Sequence, residues 1–142
     1  MSAKSQFCTF FLNGLCFGIE TSKIQEVMKY LTVTRVPLAS PIVRGLINLR
    51  GQIVTAVDLR RRLEFPDREA EALPMNIVLR TANGAVSLLV DRIGDVIDVD
   101  EAQFEMPPET VSGVARELIK GAYKLPDRLL LVLDSDRVID LA

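Results

Sequence analysis

The most chemically pointed stretch of this chain is Gly45-Leu46-Ile47-Asn48-Leu49-Arg50-Gly51, an apolar run that ends on a long basic side chain beside a glycine. A glycine at that place marks a tight turn, and a turn holds Arg50 in a fixed pose. Its planar guanidinium can then clamp a carboxylate or backbone carbonyls of a partner, or tie internally to Glu26 or Asp91. That is recognition chemistry, not bond-making. The chain has no histidine, which excludes Ser-His and Cys-His nucleophile pairs and every His-based metal site. Its two cysteines, Cys8 and Cys16, flank Asn13-Gly14, the strongest short-range hairpin signal. A two-residue loop there sets Leu12 against Leu15, Phe11 against Cys16 and Cys8 against Ile19. The thiols then lie on opposite faces and cannot bridge. With no base adjacent in sequence, both read as small buried residues. The acidic run Asp91, Asp95, Asp98, Asp100 and Glu101 lacks the spacing of a Ca²⁺ loop, and strand alternation disperses it. Arg60-Arg61-Arg62 reads as a solvated triplet on a short helical turn. No Gly-rich phosphate loop and no poised carboxylate pair is present, and neither a metal nor a cofactor is expected.

The elements that must position these residues are short. At 142 residues, 49% hydrophobic and 25% charged, the chain suits one compact unit or two very small ones sharing a core. No run reaches 18 uninterrupted apolar residues, so no membrane insertion is expected, and with no signal-like N-terminus a cytoplasmic place is the default. A net charge of -2 argues against a dedicated nucleic-acid binder. The charge is uneven: residues 1–72 carry 10 basic and 7 acidic residues, and 73–142 carry 7 and 12, which suits two different partners. Period-2 and β-branched runs predict strands at 6–12, 15–20, 32–36, 45–49 and 52–57, then at 76–81, 85–90, 94–100, 118–124 and 129–133. Five short strands in each half are the signature of small barrels.

The halves repeat. Asn13-Gly14 matches Asn83-Gly84 at an offset of 70, and Ile24-Gln25-Glu26-Val27 matches Ile93-Gly94-Asp95-Val96 at 69. Gly45 matches Gly121, and Ile53 to Asp58 matches Leu129 to Asp134, both at 76. About seven extra residues therefore belong near Pro107-Pro108, in an expected mobile loop. The repeat decides the ambiguous 21–31 segment as one helical turn near Ser22 followed by a strand. Asp58 and Asp134 are expected N-caps of short turns at 59–63 and 135–141. Leu129 to Leu133 and much of Ile53 to Val57 are apolar on both strand faces, so both faces need cover and the two barrels should share a third core. The sub-barrels are placed at 15–72 and 73–142 of one unit, with strand 6–12 shared between them.

In serial order, Ile24-Gln25-Glu26-Val27, Arg35-Val36-Pro37, the Gly45 to Gly51 element, Val54 to Leu59, Leu88-Leu89-Val90-Asp91 and Ile119-Lys120-Gly121 resemble the CheW family. These are the coupling scaffolds of bacterial chemosensory arrays. The resemblance implies an all-β fold of two interlocked five-stranded SH3-like β-barrels with a shared core and short helical turns. It implies no enzymatic activity. It also implies two partners: the cytoplasmic tip of a methyl-accepting receptor and the regulatory domain of a CheA-like histidine kinase. The chain's length leaves no room for a fused kinase or receiver domain, so a free-standing adaptor is expected. The candidate partner-binding residues are Ile24, Glu26, Val27, Gly45, Asn48, Arg50, Gly51, Val90 and Asp91. Ile24, Val27 and Val90 either line a groove between the barrels or belong to the core, and Gly45 and Gly51 either touch a partner or only constrain the backbone. A small-barrel nucleic-acid binder is the rival reading. It needs a basic groove with exposed aromatics, whereas Phe7, Phe10, Phe11 and Phe17 cluster in one hairpin that reads as core.

Overall fold

The computed structural model describes residues 3–37, 40–69, 71–82 and 84–140. Ten strands form in chain order: β1 (Lys4–Leu12), β2 (Leu15–Glu20), β3 (Ile24–Met28), β4 (Val43–Leu49), β5 (Gln52–Asp58), β6 (Met75–Thr81), β7 (Gly84–Val90), β8 (Arg92–Asp100), β9 (Ile119–Lys124) and β10 (Leu129–Leu133). Three short α-helical turns accompany them, α1 (Leu59–Arg62), α2 (Gly113–Glu117) and α3 (Ser135–Val138), with 3₁₀ turns at Thr21–Lys23 and Glu101–Gln103. The first hairpin has the register read from the sequence, with Leu12 opposite Leu15, Phe11 opposite Cys16 and Cys8 opposite Ile19. Asn13 and Gly14 both take positive φ, as a two-residue loop between right-twisting strands requires. A 3₁₀ turn at Thr21–Lys23 leads into β3, and Asp58 and Asp134 cap α1 and α3 through their side chains. Asn83 of the repeated turn and Leu141 at the end of the expected 135–141 turn lie outside the described residues.

Two five-stranded sheets result, ordered β8-β1-β2-β10-β9 and β3-β6-β7-β5-β4. Moving each strand five places along the chain converts the first order into the second. The internal repeat is therefore a structural one, and each sheet mixes the halves. Hairpin β1–β2 joins β8, β9 and β10, and hairpin β6–β7 joins β3, β4 and β5. The expected division into 15–72 and 73–142 does not separate the sheets. The physical reason is the pair of parallel ladders, Leu130 to Val132 of β10 against Cys16 to Gly18 of β2, and Thr55 to Asp58 of β5 against Val86 to Leu89 of β7. Each ladder ties a hairpin to the last strand of the other half.

This exchange explains the doubly apolar strands. Phe10, Leu12, Phe17, Ile19, Ile77, Leu79, Leu88, Val90, Leu131 and Leu133 form a core between the sheets. Their neighbours one residue away turn the other way: Cys16, Leu130 and Val132 into the first sheet's own core, and Val78 and Leu89 into the second's. Alternate residues thus serve the shared core and a barrel core. We expect one cooperative calorimetric transition, because melting either sheet strips the other of its cover. Two transitions, each traced to one sheet, would rule this out.

Two expectations fail locally. The 32–36 strand reduces to a single bridge, Thr34 to Leu46, and β3 takes the edge position instead. The extra residues near Pro107 are not a bare loop. They hold α2, whose Arg116 donates to the carbonyls of Pro108 and Val111 while Val111 and Val114 pack on the shared core.

Candidate functional site

β3 and β4 are the two ends of the second sheet, and no ladder joins them among the described residues. Two devices cross that seam. The first is the Thr34 bridge, in which the Thr34 and Leu46 amides each donate to the other's carbonyl at 2.8 Å. Gly45 permits it: a Cβ at Gly45 would collide with the Thr34 carbonyl, and its φ is +148°. Gly121 does the same in the other sheet, where Glu105 bridges Ala122 and a Cβ would collide with the Glu105 carbonyl. A glycine that both repeats need is scaffold.

The second device is Arg50. Leu49 pairs with Gln52, so Arg50-Gly51 is a two-residue loop with φ of 52° and 88°, the mirror-image turn that tight hairpins prefer. Asn48 Oδ1 accepts from the Gly51 amide at 2.9 Å and closes it. Across the seam the Arg50 guanidinium pairs with Glu26 on β3, and Gln25 donates to the same carboxylate at 3.4 Å. The Arg50 bond, helped by Gln25, holds the Glu26 carboxyl below its usual range. Arg50 nevertheless leaves 66% of its side chain in solvent, against 25% for Glu26. Of the two internal partners read from the sequence, Glu26 is the one it meets.

The other candidates separate from this pair. Val27 is exposed on the edge strand, and Ile24 is half-buried against the shared core. Val90 is fully buried in that core and offers no surface, so the groove reading does not hold for it. The reason is its place opposite Met75 in the ladder of a central strand. Asp91 is committed internally. Arg60 Nε and Nη2 donate to its two oxygens at 2.8 and 2.6 Å, the Asn13 amide donates at 2.9 Å, and Arg68 Nε lies at 3.4 Å. Burial pushes the Asp91 carboxyl up, but the Arg60 fork and the Asn13 amide outweigh it and hold the carboxyl below its usual range. Since Asn13 belongs to the first sheet and Arg60 follows the second, Asp91 clasps the sheets together.

The arginine triplet is not a solvated face. Arg60 binds Asp91, and Arg61 binds Asp67 through Nε at 3.0 Å. Arg62 donates to the carbonyls of Val138, Arg137 and Asp140 at the end of α3. Three consecutive residues on one helical turn point about 100° apart, so they cannot all face water. That periodicity was the available signal. Buried Asp58 accepts from the Arg60 amide and has Arg44, Arg61 and Arg68 within 4.0 Å. Burial raises both thiols, although Arg128 beside Cys16 counters part of the rise there. Among the described residues no group of three His, Cys, Asp or Glu side chains is placed to hold a metal, and no helix is long and apolar enough to cross a membrane. The geometry equips this surface for protein contact through an exposed edge and a posed guanidinium.

A family model described as the CheW-like domain matches residues 6–142. The chain is similar to the chemotaxis protein CheW of Bacillus subtilis, at 34% identity over 92% of this chain and 84% of that protein. It is also similar to the chemotaxis protein CheW of Treponema pallidum, at 29% identity over 91% of this chain and 78% of that protein. Among solved structures it resembles the scaffolding protein TtCheW from Thermoanaerobacter tengcongensis. That match has a TM-score of 0.81 at 26% identity, covering 92% of this chain and 89% of that one. In coverage, identity and strand arrangement the chain belongs to the CheW-like domain family, a family of chemotaxis scaffolds rather than enzymes.

Proposed function

We propose that this protein is an adaptor that couples the cytoplasmic tip of a methyl-accepting receptor to the regulatory domain of a CheA-like histidine kinase. On this reading it is cytoplasmic and reaches the membrane-associated receptor array only through its partners. The carrying observation is Arg50. A non-glycine residue at positive φ is uncommon, and the turn itself does not need a long side chain. The second repeat has Pro126 in its place and a four-residue loop between Lys124 and Leu129, so the barrel does not require an arginine. Arg50 is held by a strained turn and by Glu26, with most of its surface left for a partner. Asn48 and Gly51 build the turn, and Val27 and Ile24 supply the apolar edge beside Glu26.

Arg50→Ala is expected to leave stability within about 1 kcal/mol, since exposed ion pairs contribute little. Arg50→Asn should be neutral or slightly stabilising, because asparagine tolerates the left-handed turn. Both should lower receptor-dependent kinase activation in a reconstituted array by about tenfold or more, the scale of one charge-assisted contact. Early melting with normal activation per folded molecule would make Arg50 a brace only. The rival nucleic-acid reading has little support, because Phe7, Phe10 and Phe17 are buried and Arg92 and Arg128 cover the Phe11 ring. A gel shift with single-stranded DNA at physiological salt should show no complex.

A further inference from the structure

A concave feature lies at the start of β4, at the other end of that strand from Arg50. Arg35, Arg44 and Arg61 converge on a cavity of about 240 Å³, with Ser40 at its side and Val36 and Val43 in its wall. We propose that this cavity is a carboxylate-binding pocket that receives an acidic side chain of a partner polypeptide.

Charge is the first argument. Three guanidiniums, Arg35, Arg44 and Arg61, line the cavity and no carboxylate does, Asp58 and Asp67 meeting Arg44 and Arg61 from outside the lining. Asp91 is taken by Arg60 and Arg68, and Asp67 by Arg61. Arg44 reaches only the edge of Asp58, at 4.0 Å, and keeps 40% of its side chain exposed. Arg35 makes no ion pair among the described residues. The unmatched charge therefore sits at the mouth of the cavity.

Donor inventory is the second argument, and it selects the ligand. Phosphate sites are built largely from free backbone amides. Here four nearby amides are engaged: Thr34 and Leu46 with each other, Val43 with the Ser40 carbonyl at 2.9 Å, and Ile42 with Ser40 Oγ at 3.2 Å. Arg61 is spent on Asp67 and the Pro41 carbonyl, so the side-chain donors facing the cavity are the Arg35 and Arg44 forks and the Ser40 hydroxyl proton, a set that suits a planar carboxylate. Val36, 40% exposed, and Val43 offer an apolar wall for the stem of a glutamate. Nothing in this argument uses Arg50 or kinase coupling, so either proposal can fail alone.

The test is an NMR titration of the full chain, following arginine Nε–Hε and backbone amide signals, with a hexaglutamate peptide as one probe and inorganic phosphate as the other. The peptide is expected to give saturable shifts centred on Arg35, Arg44 and the 40–44 segment. Arg35→Gln with Arg44→Gln should weaken it by about tenfold or more, whereas Arg80→Gln with Lys120→Gln, an equal loss of charge elsewhere, should not. If the double variant fails to fold, Arg35→Gln alone carries the test, since it breaks no ion pair of the fold. Unsaturable shifts, shifts centred elsewhere, or equal weakening by the Arg80→Gln and Lys120→Gln control would overturn the pocket. Phosphate binding as tightly as the peptide would overturn the carboxylate assignment.

Discussion

Gly45→Ala is expected to cost about 3 kcal/mol or more, and Gly121→Ala a similar amount. At Gly45 the added Cβ meets the Thr34 backbone carbonyl, and at Gly121 it meets both the Glu105 backbone carbonyl and the Phe104 ring. The crossing segment must lift, and the paired hydrogen bonds at Thr34–Leu46 or Glu105–Ala122 go with it. Gly45 adds the strain of a positive φ. For a domain of this size such a loss lowers the melting temperature by roughly 10 °C. Gly51→Ala is the internal control, because its Cβ would meet nothing within 4 Å and only its φ of 88° opposes the change. Calorimetry of the three variants decides the matter. A Gly45→Ala protein that melts with the parent would show that the seam bridge is dispensable and would return Gly45 to the list of partner contacts.

Asp91→Ala should cost about 3 kcal/mol, the lower end of what breaking a buried ion pair does, because Asp91 keeps 24% of its side chain exposed. Its removal takes the carboxylate from Arg60, only 14% exposed, leaves Arg68, only 11% exposed, with Asp58 alone, and leaves the Asn13 amide without its acceptor. The same clasp predicts a pH dependence. The folded carboxyl titrates below its ordinary value of 3.8, so in acid the unfolded chain takes up this proton first. The stabilisation is thus complete above the unfolded value and fades as pH falls through the folded one. Asp91→Asn should flatten that part of the stability curve below about pH 4, while keeping an acceptor for Asn13. An Asp91→Asn protein with the parent's acid profile would remove Asp91 from the role of clasp.

Much of the fold was legible because it is local or periodic. Asn13-Gly14 fixed the register of the first hairpin, Asp58 and Asp134 announced their helical turns, and the repeat identified β3 where helical spacing misled. Asn48, Arg50 and Gly51 meet at one turn, as their spacing suggested, because the partners that build it are near in the chain. Arg60, Arg61 and Arg62 were misjudged because their acceptors, Asp91, Asp67 and the end of α3, are reached only after folding. Whether Val90 faced a groove or the core stayed open for a related reason. Alternation says that it faces the other way from Leu89, but not that the face it points to is sealed by a second sheet.

The sequence by itself determined that the chain is a duplicated set of short strands, apolar on both faces, with an arginine at one turn that its repeat lacks. Which hairpin joins which sheet was decided only by the tertiary structure. Each hairpin could have paired within its own half, and local propensity is the same in either arrangement. The parallel ladders β2–β10 and β5–β7 select the exchanged one, which places alternate residues of the doubly apolar strands in the shared core and in a barrel core. That choice also creates the open seam between β3 and β4. Only across that seam do Glu26 and Arg50, 24 residues apart, become neighbours.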